Sequence, residues 1–387
     1  LGPGRVVADA AHQAKSLTVM PGLSDHFRRC IAADGPITLA RFMEDALGHP
    51  RLGYYMGQDP FGRGGDFITA PEISQMFGEL IGLWCAVQWR TMGEADPFNL
   101  IELGPGRGTL MADMLRAGRG VDGFLESLTL SLVEISPALK GAQEDTLLDT
   151  SGAEVRRTQA LRWISDFSEA PEGPFCAVAN EFLDALPVRQ FQMTAAGWRE
   201  RLVGVCETST PEFQFVLSET PPEENIVPAG LGDAKAGDIV ELRPAATALA
   251  RALGGRLNRH PGCILFIDYG HDRTACGDTL QAVKEHAYHD PLAEPGTADL
   301  TAHLDFGALR EAARDAGAQV FGPVTQGRFL TSLGIHARAG ALSEASPANA
   351  REITEALSRL TSDEGMGAMF KVMALTSPGW PAPPGFE

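Results

Sequence analysis

Apolar residues recur at two different periods along this chain, and the change between them divides it. Over residues 23–56, Phe27, Cys30 and Ile31, then Leu39, Phe42, Met43, Ala46 and Leu47 fall at helical spacing. After the glycine-rich stretch Gly62-Arg-Gly-Gly-Asp-Phe67, the string Thr69-Ala-Pro-Glu72 reads as a capping box with proline in the first turn. The helix that follows carries Ile73, Met76, Phe77, Leu80, Ile81, Trp84 and Val87 on one face. From about residue 97, short apolar runs alternate with helical stretches. The predicted strands are Phe98–Glu102, Leu128–Glu134, residues 155–160, Cys176–Ala179 and Cys263–Asp268, with helices from Thr109 to about Arg116 and from Ser136-Pro137 onward. Such alternation predicts an α/β protein: a mostly parallel sheet with helices on both faces.

Between the fourth and fifth of these strands, Trp198–Val205 and Phe213–Leu217 read as antiparallel strands of an insertion. Residues 270–302 read as a long loop. A helix over 303–316, a strand over 317–321, helices over 328–360 and a last strand over Ala368–Leu375 add an edge hairpin with one antiparallel strand. The expected division is a disordered leader at 1–22, a helical lobe at 23–95 and a core at 96–376. Insertions fall at about 192–240 and 270–302, and a loose Pro-rich tail covers 377–387.

Composition narrows the function. Lys plus Arg number 32 against 50 Asp plus Glu, a formal charge of −18. A basic surface is what displaces counterions from phosphates, so this balance argues against sequence-independent nucleic-acid binding and against docking on anionic lipid. Six scattered cysteines without a CxxC pair read as buried thiols in a reducing compartment. No apolar run reaches the roughly 18 residues of a membrane-spanning helix, so no stable membrane insertion is expected. The 43 glycines exceed the roughly 7% average and direct attention to loops where backbone meets ligand.

The sharpest such loop is Leu100-Ile-Glu-Leu-Gly-Pro-Gly-Arg-Gly108, which ends an apolar strand and opens a helix. Gly104 and Gly106 permit a tight turn, and the helix behind offers unpaired N–H groups. A dinucleotide fingerprint wants G-x-G-x-x-G, but the third position here holds Thr109, and the third glycine is Gly108. The G-x-G-x-G spacing, with Glu102 two residues ahead, resembles the S-adenosylmethionine loop of class I methyltransferases. Glu134 ends the next strand, 28 residues after Gly106 (134 − 106), where a carboxylate accepts ribose hydroxyls in either kind of nucleoside site.

The fourth strand ends in Ala179-Asn-Glu-Phe-Leu-Asp-Ala-Leu-Pro187, and strand carboxyl ends face the ligand crevice of open α/β sheets. Asn180, Glu181 and Asp184 therefore project near a transferred group. Arginine is the hard nucleophile, because its pKa lies above about 12. Carboxylates can pair with a guanidinium and take a proton as the new bond forms, which makes Glu181 and Asp184 the candidate catalytic pair.

Together, Gly65–Glu79, Glu102–Gly108, Val133–Ser136, Ala179–Pro187, Ile267-Asp-Tyr-Gly270 and Asp299-Leu-Thr-Ala-His-Leu-Asp-Phe306 resemble the MidA family. Its mitochondrial members are complex I assembly-factor arginine methyltransferases. The likeness runs from about residue 23 to 375. It implies a class I methyltransferase Rossmann-like fold with S-adenosyl-L-methionine as methyl donor. It also implies, as partner, an arginine of a core subunit of respiratory complex I. A bacterial member would work in the cytoplasm, a eukaryotic one in the mitochondrial matrix. A non-catalytic assembly chaperone that binds the same cofactor is the competing function, and a Rossmann oxidoreductase a third.

Several residues outside the sheet join the expected site. Asp66, Phe67 and Thr69 precede the long helix, where a segment can close over a cofactor and exclude water. Asp268 and Tyr269 end the fifth strand and face the crevice, and His286 or Tyr288 on the following loop would lie near the guanidinium. Gln326 and Phe329 are candidates for a substrate wall, and Trp163 for the adenine site or the core. No metal is expected, because His286-x-x-His289 lacks a third ligand at useful spacing.

Overall fold

The computed structural model describes residues 22–57, 69–206 and 212–387. Asp66 and Phe67, with most of the expected leader, lie outside the described residues. Seven strands form the main path of the central sheet, β1 (Phe98–Leu103), β2 (Leu128–Val133), β3 (Ala160–Ile164), β4 (Phe175–Asn180), β5 (Gly262–His271), β6 (Gln319–Thr325) and β7 (Phe370–Thr376), and a short eighth, Leu304–Asp305, pairs in parallel with the end of β5. Their order is β6-β7-β5-β4-β1-β2-β3. Every residue of β1, β2 and β4 is buried, which is why they read as near-continuous apolar runs rather than alternating ones. All neighbours pair in parallel except β7, which runs antiparallel to both β5 and β6. The antiparallel strand thus lies one position in from the edge. Strand order reverses between β1 and β4, so a ligand crevice belongs at their carboxyl ends.

One face of the sheet is covered by Gln75–Thr91, Thr109–Gly118 and the helices between Gln326 and Thr361, the other by Pro244–Leu257 and Phe306–Asp315. The helix Gln75–Thr91 is buried nearly all round, although Val87 faces solvent. Its Gly78 and Gly82 let it press on Thr109–Gly118, where added Cβ atoms would meet Asp113 Cβ at 2.5 Å and Met114 Cα at 2.6 Å. Its Cys85 stands in a row with Cys176 and Cys263 of the sheet, with Sγ–Sγ distances of 3.4 and 3.3 Å, all fully buried.

Four expectations change. The third strand is Ala160–Ile164, not 155–160, because Gly152–Val155 forms a helical turn whose Glu154 pairs with Arg119. The capping box at Thr69 does not form: Glu72 instead accepts the Thr109 hydroxyl at 2.6 Å, and Ser74 caps the long helix through Met76 N. Residues 270–302 are not one loop but hold a three-stranded antiparallel sheet, Gln281–Lys284, Ala287–His289 and Asp299–Thr301. The 377–387 tail is docked rather than loose. The Trp84 indole donates to Pro384 O at 3.1 Å, and Phe386 packs on Phe329 with ring centroids 5.4 Å apart.

The insertion after β4 is larger than expected. Gly197–Val205 is flanked by Arg189–Thr194, Phe213–Leu217 and the short Ile37–Thr38, and Ile239–Leu242 pairs with Arg189–Thr194. The helices Leu23–Asp34 and Leu39–Gly48 bury Phe27, Phe42 and Met43 against this inserted sheet together with the 281–301 strands.

Candidate active site

β1 ends in a glycine turn whose Gly104, Gly106 and Gly108 have φ of 65°, 53° and 83°, left-handed values that favour glycine. A Cβ on Gly104 would stand 2.5 Å from the Phe182 ring, so the turn passes directly under the residue after Glu181. Gly108 closes the turn as N-cap of the helix Thr109–Gly118.

The turn is tied to the end of β2 by one side chain. Gln143 donates to the Gly106 carbonyl at 2.8 Å and to Glu134 at 3.0 Å, and its own oxygen accepts the Trp163 indole N–H at 2.8 Å. Trp163 is therefore a prop behind Gln143 and does not line the cavity. Glu134 also accepts the Ser136 N–H at 2.7 Å. Burial raises its pKa against these hydrogen bonds. The Ser136 hydroxyl donates to the Tyr55 carbonyl at 2.5 Å, which fixes the N-terminal segment over the crevice.

β4 delivers the acids. Glu181 adopts φ of 48°, and its carboxylate accepts the Ala70 N–H at 2.8 Å and the Asn180 amide at 3.2 Å. Burial pushes its pKa up to about 7. Asp184 hydrogen-bonds Tyr269 and faces the buried Arg243, yet its pKa remains raised by burial. Asp268 stands behind this wall, where its carboxylate accepts N–H groups of Leu183, Asp184 and Tyr269 at 3.0 to 3.1 Å. It holds the 183–184 backbone and does not line the cavity. Tyr269 does line it, packed edge-on against His303 and Phe370, each with centroids 5.4 Å away.

These elements enclose a crevice of about 640 Å³, within the range of small-molecule sites. Glu134, Gly104 and Gly106 line it together with Glu181, Asp184 and Tyr269. Thr69 joins Glu102, Asn180 and the glycine turn around an adjoining cavity of about 40 Å³. There Glu102 Oε2 and Asn180 Oδ1 are buried with no hydrogen-bond partner among the described residues. Burial raises Glu102 to about 8. His286 sits at a hairpin tip, exposed and outside the crevice, whereas Tyr288 lines it. Gln326 and Phe329 are fully buried: the Gln326 amide donates to Leu360 O, and Phe329 packs under the tail, so neither is a substrate wall. Among the described residues no cluster of His, Cys, Asp or Glu could hold a metal.

Sequence reasoning missed four lining or supporting groups: Gln143, Tyr55, His303 and Arg243. Tyr55 lines the crevice and donates to Asp299 at 2.6 Å, bridging 244 positions in sequence. His303 lines it too, and burial lowers its pKa, which keeps the ring neutral. Of these, only His303 lies within a motif quoted above, Asp299–Phe306, where it was given no role.

The residues present suit S-adenosyl-L-methionine. Two orphaned buried oxygens await donors, the glycine turn admits close approach, and Glu134 presents a carboxylate between helix and strand. The chain matches, over residues 80–324, the profile of a family described as "Putative S-adenosyl-L-methionine-dependent methyltransferase". It is similar to the mitochondrial protein arginine methyltransferase NDUFAF7 of Mus musculus, 38% identical over 391 residues, covering 96% of this chain and 88% of that protein. The Homo sapiens counterpart is 37% identical over 369 residues, covering 90% and 82%. Among solved structures, a Burkholderia thailandensis protein bound to S-adenosyl-homocysteine is similar at 30% identity and a TM-score of 0.80, covering 94% of this chain and 92% of that one. With the profile covering more than half of its length and relatives of this identity spanning nearly all of it, the chain belongs to this family of S-adenosyl-L-methionine-dependent methyltransferases, the family its motifs resemble.

Proposed function

We propose that this chain is a protein-arginine N-methyltransferase and that its substrate is a core subunit of respiratory complex I. The observation that carries the reading is the acidic lining of the crevice. Among the described residues Glu44, Glu134, Glu181, Asp184 and Asp299 line it, and no Lys or Arg does. A cationic side chain is drawn into such a site, and the neutral His303 does not oppose it.

S-adenosyl-L-methionine, when bound, supplies the electrophilic methyl group. Glu134 would hold its ribose hydroxyls, Glu102 and Asn180 its methionine end, with Gly104, Gly106 and Gly108 giving room for the close approach. On the substrate side, Glu181 pairs with the guanidinium and orients it. With its pKa near 7, Glu181 accepts the proton that the attacking nitrogen gives up as its bond to the methyl carbon forms and the sulfur leaves as a thioether. Asp184, shared between Tyr269 and Arg243, positions Tyr269 against the substrate. Tyr55 and Asp299 close the N-terminal side. The names of the relatives and the motif resemblance support arginine as acceptor. The compartment follows the substrate: the cytoplasm for a bacterial chain, the mitochondrial matrix for a eukaryotic one.

Mass spectrometry of complex I subunits from cells lacking the chain tests the reading. Loss of an arginine methylation, restored by the intact chain and not by Glu181→Gln, is the expected result. An unchanged methylation pattern with defective assembly would leave the non-catalytic chaperone.

A further inference from the structure

The substrate of this site has a recognisable chemistry beyond its arginine, an inference that rests on the methyltransferase reading above. We propose that the arginine is taken from a peptide segment with apolar neighbours, which Tyr288 and Met369 anchor at the mouth of the crevice. Seven large hydrophobic side chains are exposed among the described residues, and three of them line this single crevice: Ile135, Tyr288 and Met369. Such clustering marks a contact surface, whereas scattered exposed apolar residues need no explanation. Ile135 follows Glu134 directly and belongs to the cofactor half. Tyr288 and Met369 do not.

Tyr288 is 84% exposed, two residues past the Glu285-His286 hairpin turn, and Met369 is 55% exposed where a short helix meets β7. The next residue, Phe370, packs edge-on against Tyr269, so Met369 stands beside the wall that meets the substrate. Both sites hold their side chains on paired or capped backbone, a rigid way to present an anchor.

The distribution of charge selects the occupant. Glu134, Asp184 and Asp299 are buried and Glu181 half-buried, leaving Glu44 as the exposed lining acid. Four of the five lining acids thus lie inside, and the exposed apolar side chains stand at the mouth. One cation entering deeply, with apolar residues before and after it, satisfies both. A glycine- and arginine-rich segment would place most of its cations over the apolar rim, away from the acids.

The test uses the whole chain with S-adenosyl-homocysteine and fluorescent single-arginine peptides, read by anisotropy, alongside methyl transfer with S-adenosyl-L-methionine. Peptides with apolar flanks should bind about tenfold tighter than glycine-flanked or Gly/Arg-rich ones. Tyr288→Ser and Met369→Ser should each weaken that binding by about five- to tenfold, with cofactor affinity and Tm unchanged. Both side chains are largely exposed, so neither change opens a core cavity. Equal or tighter binding of the Gly/Arg-rich peptide, or rim variants without effect, would overturn the proposal. So would a Tyr288→Ser variant that alters the oligomeric state while sparing peptide binding, since the rim would then face a second copy. Rim-dependent binding with no methyl on any peptide would uphold the docking surface and overturn the arginine-methyltransferase reading instead.

Discussion

The Glu181 carboxylate accepts the backbone N–H of Ala70 at 2.8 Å, so the acid at the end of β4 is held by a residue 111 positions earlier. That bond favours the ionised form, yet burial wins and leaves a pKa of about 7. A group that must accept a proton works only when ionised. The kcat/KM for peptide should therefore rise with pH through a midpoint near 7 and level above it. Glu181→Gln keeps the shape and the bond acceptor, and should lower turnover about a hundredfold or more while cofactor affinity stays within about twofold. A pH-independent rate, or near-normal turnover in the variant, would remove Glu181 from proton transfer.

Glu102 carries a second pH dependence with the opposite consequence for the fold. Its folded pKa, about 8, lies above the ordinary 4.5, so the native state binds the proton more tightly than the unfolded chain does. Stability from this group is complete below about 4.5 and is lost as pH climbs towards 8, by on the order of 5 kcal/mol at the limit. An ammonium group placed beside it reverses the preference, so cofactor binding at pH 7 should release a proton. Calorimetry in two buffers of different ionisation enthalpy reads that proton. Equal heats would sink the assignment, and Glu102→Gln should abolish the difference while flattening the fall of Tm with pH.

Gln143 is the joint between the glycine turn and Glu134. Replacing it by Ala strips the Gly106 carbonyl, the Glu134 carboxylate and the Trp163 indole of their partner together. Stability should fall by about 1–3 kcal/mol and cofactor affinity by about tenfold. Titration with S-adenosyl-homocysteine and a denaturant curve separate the two effects. Unchanged affinity would mean that the turn holds its shape without this prop.

The docked tail gives a stability test with no catalytic content. Removing residues 379–387 uncovers Trp84 and Phe329 and takes away the acceptor of the Trp84 indole. A loss of about 2–3 kcal/mol is expected from the apolar area alone. Thermal unfolding checks it, and a Tm within one degree of the full chain would show the contact to be idle.

The parts legible in the sequence are those where one physical rule acts alone. β1, β2 and β4 are buried on both faces, so burial wrote continuous apolar runs, and the glycine turn and the acids at strand ends sit next to them in sequence. The inserted sheet was half legible: Arg189–Thr194 opens with Arg and Gln because their partners are Glu200 and Glu241, reached only by folding. The 281–301 strands were hidden because their hairpin turns on Glu285 and His286, both at positive φ, without the glycine or asparagine that marks such turns. Thr69 to Glu72 spelled a capping box, but Thr109, 37 residues on, competed successfully for Glu72. Tyr55, Gln143 and His303 entered the site through contacts that no spacing rule encodes.

The row of Cys85, Cys176 and Cys263 gives the molecule a built-in clock. The three thiols lie between the sheet and its covering helix, fully screened from water, while Cys276 is exposed. An alkylating reagent must wait for the helix Gln75–Thr91 to lift from the sheet before it meets the inner three, but finds Cys276 at once. The lag between the fast and slow labels reads the opening of the closed core, through thiols the chain already carries.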